Sequence, residues 1–277
     1  MKKKIKLIIM SCLVVLIIFM AIFATYICPY DPYEQDLSIA YQAPGLQHLM
    51  GTDAYGRDMF SRVIIGGQLS ILSTLALVLI IAIFGTTVGI ICGYFGNKVD
   101  FVVMRISDLC LAFPGLVFAL AVAAILGGGI VNAVIALTVI SWPKYSRVAR
   151  GLTLSIKDST YIEAAKLAGD NALQIICRHV VPNIIGPIIV TATLDIGTMM
   201  MEIAGLSFLG LGAQPPVAEW GSMMSNGRSM LQTYPWVVLS PGIAIFISVV
   251  IFNLFGDTLR DAVDPKNVSQ SFGKQDN

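Results

Sequence analysis

Residues 63–97 read VIIGGQLSILSTLALVLIIAIFGTTVGIICGYFGN, a stretch of 35 residues that contains no charged side chain. A helix needs about 20 consecutive, mostly apolar residues to cross the hydrocarbon core of a bilayer. We therefore predict one membrane-spanning helix of about 25 residues here, after the polar lead-in Gly66-Gly67-Gln68. The number of further stretches of this kind decides the fold.

The composition of the whole chain agrees with a membrane protein. Of 277 residues, 13% are charged and 56% are hydrophobic, the mean hydropathy is +0.79 and the net charge is +1. Soluble domains carry about 25% charged residues, so these values exclude an ordinary water-soluble enzyme, a disordered chain and an electrostatic nucleic-acid binder. The five cysteines lie mostly in apolar runs and form no C-x-x-C pair, which argues against a disulfide framework.

Five more stretches are apolar and long enough to span the bilayer. They are 7–28, from about 101 to 127, 130–150, a stretch that begins near 184, and 236–255. A cleaved signal peptide is the alternative for the first stretch, but its apolar part would be only about 7–15 residues long. We predict an all-α integral membrane protein with six transmembrane helices, which places both termini on the same side.

The Lys and Arg residues indicate which side that is, because they concentrate in the cytoplasmic ends and loops of membrane proteins. With the N-terminus inside, fifteen of the 18 Lys and Arg residues are cytoplasmic, Lys144 among them. Only Arg57, Arg62 and Arg228 fall outside. Both termini are therefore predicted to be cytoplasmic.

This topology divides the chain into four regions. They are the N-terminal end with the first transmembrane helix (1–28), an extracytoplasmic loop (29–68), a membrane core (69–265) with a cytoplasmic loop (151–182), and a cytoplasmic tail (266–277). The outer segments 29–61 and 212–235 are rich in Pro and Gly. We expect both to be folded loops without strands or helices of any length.

The cytoplasmic loop contains a short predicted helix. Thr160-Tyr161-Ile162-Glu163 fits a capping box, in which the hydroxyl and the carboxylate satisfy free backbone amides at the start of a helix. Gly169 fits the C′ position, which favours glycine, so the helix is about 8 residues long. Ala164, Ala165 and Ala168 form a small-residue face against which another protein could pack; a plain surface helix is the alternative.

The same loop resembles a known family. Residues 163–169, EAAKLAG, followed by Val181-Pro182, are similar to the EAA loop of ABC-transporter permeases, where Leu usually stands at the Val181 position. The resemblance implies a type I ABC importer permease fold. It also implies a coupling helix that inserts into a cytoplasmic ATPase, with Glu163, Ala164, Ala165 and Gly169 as the coupling residues.

Other motifs narrow the resemblance. Residues 48–62, HLMGTDAYGRDMFSR, resemble the HxxGTDxxGRDxxSR signature of dipeptide, oligopeptide and nickel permeases, as do 206–212, 219–221 and 253–261. Residues 193–200, TLDIGTMM, with 204–208, AGLSF, are most similar to the C-type permease of nickel importers. We therefore expect nickel or a related metal chelate as cargo. A dipeptide or oligopeptide is the alternative, and a secondary transporter without an ATPase is a distant one.

The resemblance also implies partners. They are a homologous second permease in a heterodimer, two cytoplasmic ABC ATPases that bind ATP and Mg, and an extracytoplasmic solute-binding protein. No Gly-x-x-x-x-Gly-Lys-[Ser/Thr] motif occurs in the chain, so we expect a transport subunit of the bacterial inner membrane with no ATPase site and no cofactor of its own. Four outer residues are expected either to dock the binding protein or to hold the outer loops together: Asp53, Arg57, Asp58 and Glu219.

Two acidic residues fall inside the fifth predicted span. Ionisable residues in a span cost about 2.5–3.5 kcal/mol and mark pathways. Asp195 and Glu202 lie seven residues apart on one helical face, with Met199 between them. No Lys or Arg is expected at this depth, so compensation is predicted from a partner subunit, water, a proton or a cationic cargo. The only histidines, His48 and His179, lie on opposite sides of the membrane, so no high-affinity metal site is expected.

Overall fold

The computed structural model describes the backbone of residues 2–263 and the side chains from residue 4 onward. This part of the chain is helical, without a named strand. Its helices are α1 (Lys2–Ile22), α2 (Ala24–Ile27), α3 (Met59–Phe95), α4 (Asn97–Leu111), α5 (Gly115–Ile125), α6 (Ile130–Ile156), α7 (Thr160–Leu167), α8 (Ala172–Ile175), α9 (Val181–Phe208), α10 (Trp220–Gly227) and α11 (Trp236–Val263). The predicted tail, 266–277, lies outside the described residues.

Several helices can cross a bilayer. Among residues 2–263, four helical stretches are long and apolar enough: Lys4–Ile22, Met59–Phe95, Ala172–Phe208 and Trp236–Val263. The bent pair of α4 and α5 is a fifth candidate if it counts as one span. Helix α6 is not among them. The chain is thus a multi-pass membrane protein, and the count of six spans stays a prediction.

The third predicted span is not one continuous helix. Helices α4 and α5 meet at an angle of 93°, and the break falls at Phe113-Pro114. Proline lacks a backbone N–H and disfavours helical geometry in the residue before it, so the prediction of a single helix was wrong. The predicted end at Gly127-Gly128-Gly129 is confirmed, because all three glycines have positive φ angles.

Helices α3 and α6 pack very closely at glycines. A Cβ atom on Gly85 would lie 2.5 Å from the carbonyl oxygen of Trp142 and 2.7 Å from the Cβ atom of Tyr145. A Cβ atom on Gly89 would collide with the carbonyl oxygen of Ser146. Small residues permit such close approach between spanning helices. This contact holds the middle of α6 in place, which matters for the site described below.

The outer segments contain more helix than their composition predicts. The segment 212–235 includes α10, and short 3₁₀ turns lie at Leu37–Ile39 and Arg228–Met230. The prediction of loops without helices was therefore wrong for α10. Its start is stabilised by the side chain of Glu219, which accepts hydrogen bonds from the backbone amides of Gly221 and Ser222.

Candidate functional site

The first group of predicted residues lies at the outer end of α3. The carboxylate of Asp53 accepts a hydrogen bond from Nε of Arg57 at 2.7 Å and lies 2.6 Å from its Nη2 atom. Nε of Arg62 lies 3.6 Å from the same carboxylate. All three side chains are buried. One carboxylate thus holds together two guanidinium groups from the first outer loop and the start of α3.

We define the outer polar cluster as Asp53, Arg57 and Arg62, which share one carboxylate. Asp58 and Glu219 make separate contacts. Asp58 lies 2.9 Å from Nδ1 of His48 and accepts a hydrogen bond from the amide of Ser61. Glu219 is fully buried and accepts a hydrogen bond from the hydroxyl of Ser70 at 3.1 Å. The four predicted outer residues thus contact other residues of this chain, which agrees with a role in holding the outer loops together. Docking of a binding protein by these residues stays a prediction.

Outside the cluster, Asp36 begins the turn Leu37–Ile39. Its carboxylate accepts hydrogen bonds from the hydroxyl of Ser38 at 2.6 Å and from the amide of Ser38 at 2.9 Å. These bonds stabilise the ionised form, so they lower the pKa of Asp36 below its usual value.

The second group is in the cytoplasmic loop. Helix α7 has 8 residues, and Gly169 follows it with a φ angle of +93°. The amide of Gly169 donates to the carbonyl of Lys166, and the amide of Asp170 donates to that of Ala165, which is a Schellman motif. The predicted length and C′ residue of this helix are confirmed.

The helix begins at Thr160, as expected, but the predicted capping box was wrong. Ser159 is the N-cap and no side chain caps the helix, so Thr160 and Glu163 form no capping box. The hydroxyl of Ser159 instead donates to the carbonyl of Ile156 in the preceding turn. A capping box does occur at α8, between Asn171 and Gln174.

Helix α7 has one inward and one outward face. Ile162 and Ala165 are buried in an apolar cluster with Ile175, Val180 and Ile184. Glu163, Ala164, Ala168 and Gly169 are exposed, and the side chain of Leu167 is 90% exposed. The predicted small-residue face is thus divided, since Ala165 packs inside this chain and only Ala164 and Ala168 are accessible to another protein.

The third group lies in the middle of α9. Asp195 is 1% exposed, and its carboxylate lies 2.6 Å from Nζ of Lys144. The hydroxyl of Tyr145 donates to the other carboxylate oxygen at 3.1 Å. The prediction that no Lys or Arg lies at this depth was therefore wrong. Lys144 is near the midpoint of α6 and contacts the midpoint of α9, although its position in the sequence suggested a cytoplasmic end.

The other two predicted pathway residues differ from Asp195. Met199 is buried in the apolar core with Leu137, Ile140 and Tyr145, so it lines no open surface of this chain. Glu202 is half-buried. Within residues 2–263, no hydrogen bond or ion pair to its carboxylate is found. The structure thus distinguishes the carboxylate of Asp195, which has charged and polar partners, from that of Glu202, which has none in the part of the chain that the structure describes.

Lys144 and Tyr145 are the residues that sequence reasoning missed. A signal was present, because Lys144 follows fourteen uncharged residues of the same predicted helix, 130–143. Buried charges in proteins are usually paired, so an acidic residue at the middle of another span was the natural partner.

The comparisons with known proteins agree with this architecture. Residues 85–268 match the family described as binding-protein-dependent transport system inner membrane component. Residues 6–44 match the N-terminal transmembrane domain of oligopeptide transport permease C. The two matches together cover most of α1, all of α2, the last part of α3 and all the helices from α4 onward, so they are not confined to one motif.

Curated relatives are similar over nearly the whole chain. A dipeptide transport system permease protein, DppC, of Alkalihalophilus pseudofirmus is 44% identical over 249 residues, which cover 90% of this chain and 82% of the relative. A glutathione transport system permease protein, GsiD, of Escherichia coli is 45% identical over 254 residues, which cover 91% of this chain and 84% of the relative.

Solved structures share the fold at low sequence identity. The inward-facing MetNI methionine ABC transporter matches with a TM-score of 0.59 and 20% identity, over 74% of this chain and 98% of the other. An amino acid ABC transporter matches with a TM-score of 0.50 and 19% identity, over 73% of this chain and 94% of the other. The type I ABC importer permease fold is thereby confirmed. The chain belongs to the binding-protein-dependent transport inner membrane component family, as an ABC importer permease of the dipeptide and oligopeptide group.

Proposed function

We propose that this chain is the permease subunit of an importer for short peptides. The observation that carries the proposal is its identity of 44–45% to permeases named for dipeptide and glutathione, over about nine tenths of the chain. Nickel was expected because residues 193–200 and 204–208 resemble the C-type permease of nickel importers. The relatives at 44–45% identity are named for dipeptide and glutathione instead, so the peptide alternative is the better one. The contact of Lys144 with Asp195 also weakens the case for a cation at Asp195.

The proposed assembly contains a second permease, two ATPases that bind ATP and Mg, and a solute-binding protein outside. Membership of the family supports all four partners. The exposed face of α7 supports the ATPase contact in particular. Leu167 of α7 and Leu173 of α8 are 90% and 70% exposed, and large exposed apolar side chains beside each other in the chain are consistent with an interface.

In this proposal α7 couples ATP hydrolysis to transport. Ile162 and Ala165 are embedded in the same apolar cluster as Ile184 near the start of α9. Three residues, 157–159, join α7 to the end of α6. A push on the exposed face of α7 would therefore move the inner ends of α6 and α9 together. These two helices carry Lys144 and Asp195, so the movement would reach the polar residues at mid-membrane and switch access between the two sides.

The coupling role can be tested with two matched substitutions of exposed leucines. Leu167→Asp places a charge on the proposed ATPase contact, while Leu46→Asp places one in the outer loop, where Leu46 is 100% exposed. We expect Leu167→Asp to abolish copurification of the ATPases or peptide-stimulated ATP hydrolysis in the reconstituted complex. Leu46→Asp should preserve both. Equal behaviour of the two variants would overturn the coupling role of α7.

The cargo can be tested by uptake. The complex with its binding protein is reconstituted into liposomes, and ATP-dependent accumulation of radiolabelled tri-alanine is compared with that of ⁶³Ni²⁺. We expect accumulation of the peptide only. Accumulation of nickel without peptide would reinstate the first expectation and contradict this proposal.

A further inference from the structure

The side chain of Lys144 contacts Asp195 but has N–H donors that Asp195 does not occupy. An ammonium group has three N–H donors, and Asp195 is the one acceptor found for it within residues 2–263. The side chain of Lys144 is 52% exposed, whereas that of Asp195 is 1% exposed. An anion could therefore reach the ammonium group without displacing Asp195.

Asp195 is arranged to orient this ammonium group. One of its carboxylate oxygens contacts Lys144 and the other accepts the hydroxyl hydrogen of Tyr145. Tyr145 is fully buried, and its Cβ atom lies in the close contact with Gly85 of α3. The carboxylate is thus fixed by the core, and the flexible part of the pair is the exposed lysine.

Glu202 provides the opposite charge on the same side of α9. Residues seven apart in an α-helix lie on nearly the same face and about 10 Å apart along the axis. Glu202 thus lies on the face of α9 that carries Asp195, the residue that contacts Lys144. Its carboxylate is half-buried and has no hydrogen-bond or ion-pair partner in the described part of the chain. A carboxylate in this position attracts a cation.

We propose that Lys144 and Glu202 bind the two ends of a zwitterionic peptide, with its terminal carboxylate on Lys144 and its terminal ammonium on Glu202. This inference rests on the proposed peptide function. An extended chain spans at most about 3.3–3.6 Å per residue, so about 10 Å along α9 corresponds to about three residues. Both contacts use groups that every peptide has, so the site would accept different side chains.

The charges fit a zwitterion better than a metal cation or a purely structural contact. A metal cation would meet the exposed ammonium of Lys144, which repels it. A contact that serves only to fix α6 to α9 requires neither the exposure of Lys144 nor the unpaired carboxylate of Glu202. The second permease is the remaining occupant, and the experiments below separate it from a peptide.

The first experiment compares modified peptides in the reconstituted complex with its binding protein. Uptake of tri-alanine is compared with that of its C-terminal amide and its N-acetyl form. For each complex, the uptake rate of one peptide is divided by that of the other. Because the binding protein is the same throughout, its own preference cancels when this ratio in a variant is divided by the ratio in the wild type. We expect Lys144→Gln to reduce the preference for the free acid over the amide about tenfold, the size of a hydrogen bond to a charged group. We expect Glu202→Gln to do the same for the free amine over the acetylated form.

The crossed combinations are the matched controls. Lys144→Gln should leave the preference against N-acetylation unchanged, and Glu202→Gln should leave the preference against the amide unchanged. Preferences identical to the wild type in both variants would overturn the inference. Absence of any peptide transport by the wild-type complex would instead contradict the proposed function, on which this inference rests.

The second experiment exchanges the charges by Lys144→Asp combined with Asp195→Lys. The exchange retains an ion pair between α6 and α9 but places the carboxylate at the exposed position. We expect the second permease and the ATPases to copurify while uptake of tri-alanine falls at least tenfold. Recovery of uptake in the double variant would show a purely structural pair. Loss of the second permease from the Lys144→Gln complex would show a subunit contact, and either result would overturn the inference.

Discussion

The two sides of this permease use their charged residues in opposite ways. Outside, the side chains of Asp53 and Glu219 are buried and saturated by contacts within the chain. Inside, Glu163 is exposed and caps nothing. Both regions carry motifs that are prominent in the sequence. The charged residues of the outer motif make contacts inside the protein, whereas Glu163 of the inner motif is exposed on its surface. A motif by itself does not distinguish these two uses.

The largest effect is expected when a charge is removed from the outer polar cluster. Asp53→Asn leaves Arg57 and Arg62 buried without their shared counter-ion, which typically costs about 3–5 kcal/mol. We expect a lower thermal unfolding temperature of the purified complex in detergent. Asp108→Asn is the control on the inner side, because Asp108 pairs with Arg105 and Arg147 in exposed ion pairs worth about 1 kcal/mol or less. Equal decreases in the unfolding temperature of the two variants would contradict the difference between the outer and inner charged residues.

A smaller effect is expected for the buried cap of α10. In Glu219→Gln the neutral amide accepts fewer of the hydrogen bonds from Ser70, Gly221 and Ser222, and each buried donor left unpaired costs about 1–3 kcal/mol. We expect a loss of about 2–3 kcal/mol in unfolding free energy. Glu163→Gln is the matched inner substitution and should change stability by less than about 0.5 kcal/mol. Greater destabilisation by Glu163→Gln than by Glu219→Gln would contradict the comparison.

The smallest effect concerns the backbone at the end of α7. Gly169 has a φ angle of +93°, and a Cβ atom there would meet nothing within 4 Å. Gly169→Ala therefore costs only the backbone strain, about 1–2 kcal/mol. Gly151→Ala, in the interior of α6 and equally free of contacts, should instead stabilise the protein by about 0.5–1 kcal/mol. Thermal unfolding of both variants measures the difference, and a shift of the same sign in both would refute this account.

Local patterns predicted local structure well. The apolar runs located the long helices, and Gly169 located the end of α7, because both features depend on a few neighbouring residues. Predictions failed where a competing local contact was overlooked. Pro114 interrupts the helix that was predicted as the third span. Ser159, and not Thr160, occupies the N-cap position of α7.

The polar residues between α6 and α9 show a different limit. Asp195 and Glu202 were recognised as a pair because they are seven residues apart on one helix. Lys144 is 51 residues away from Asp195 in the chain, so no helical spacing connects the two. Only the packing of α6 against α3 and α9 brings the lysine to the carboxylate.

The sequence by itself determined a multi-pass helical membrane protein, because apolar length and charge distribution act along the chain and need no knowledge of contacts. It also located α7 and the acidic residues of α9. The tertiary structure decided which charges are compensated. Asp53 and Asp195 acquired partners inside the chain, while Glu163 and Glu202 have none among residues 2–263. The physical reason is that an ion pair depends on distances of a few ångströms between helices, and those distances arise only when the side chains between them pack.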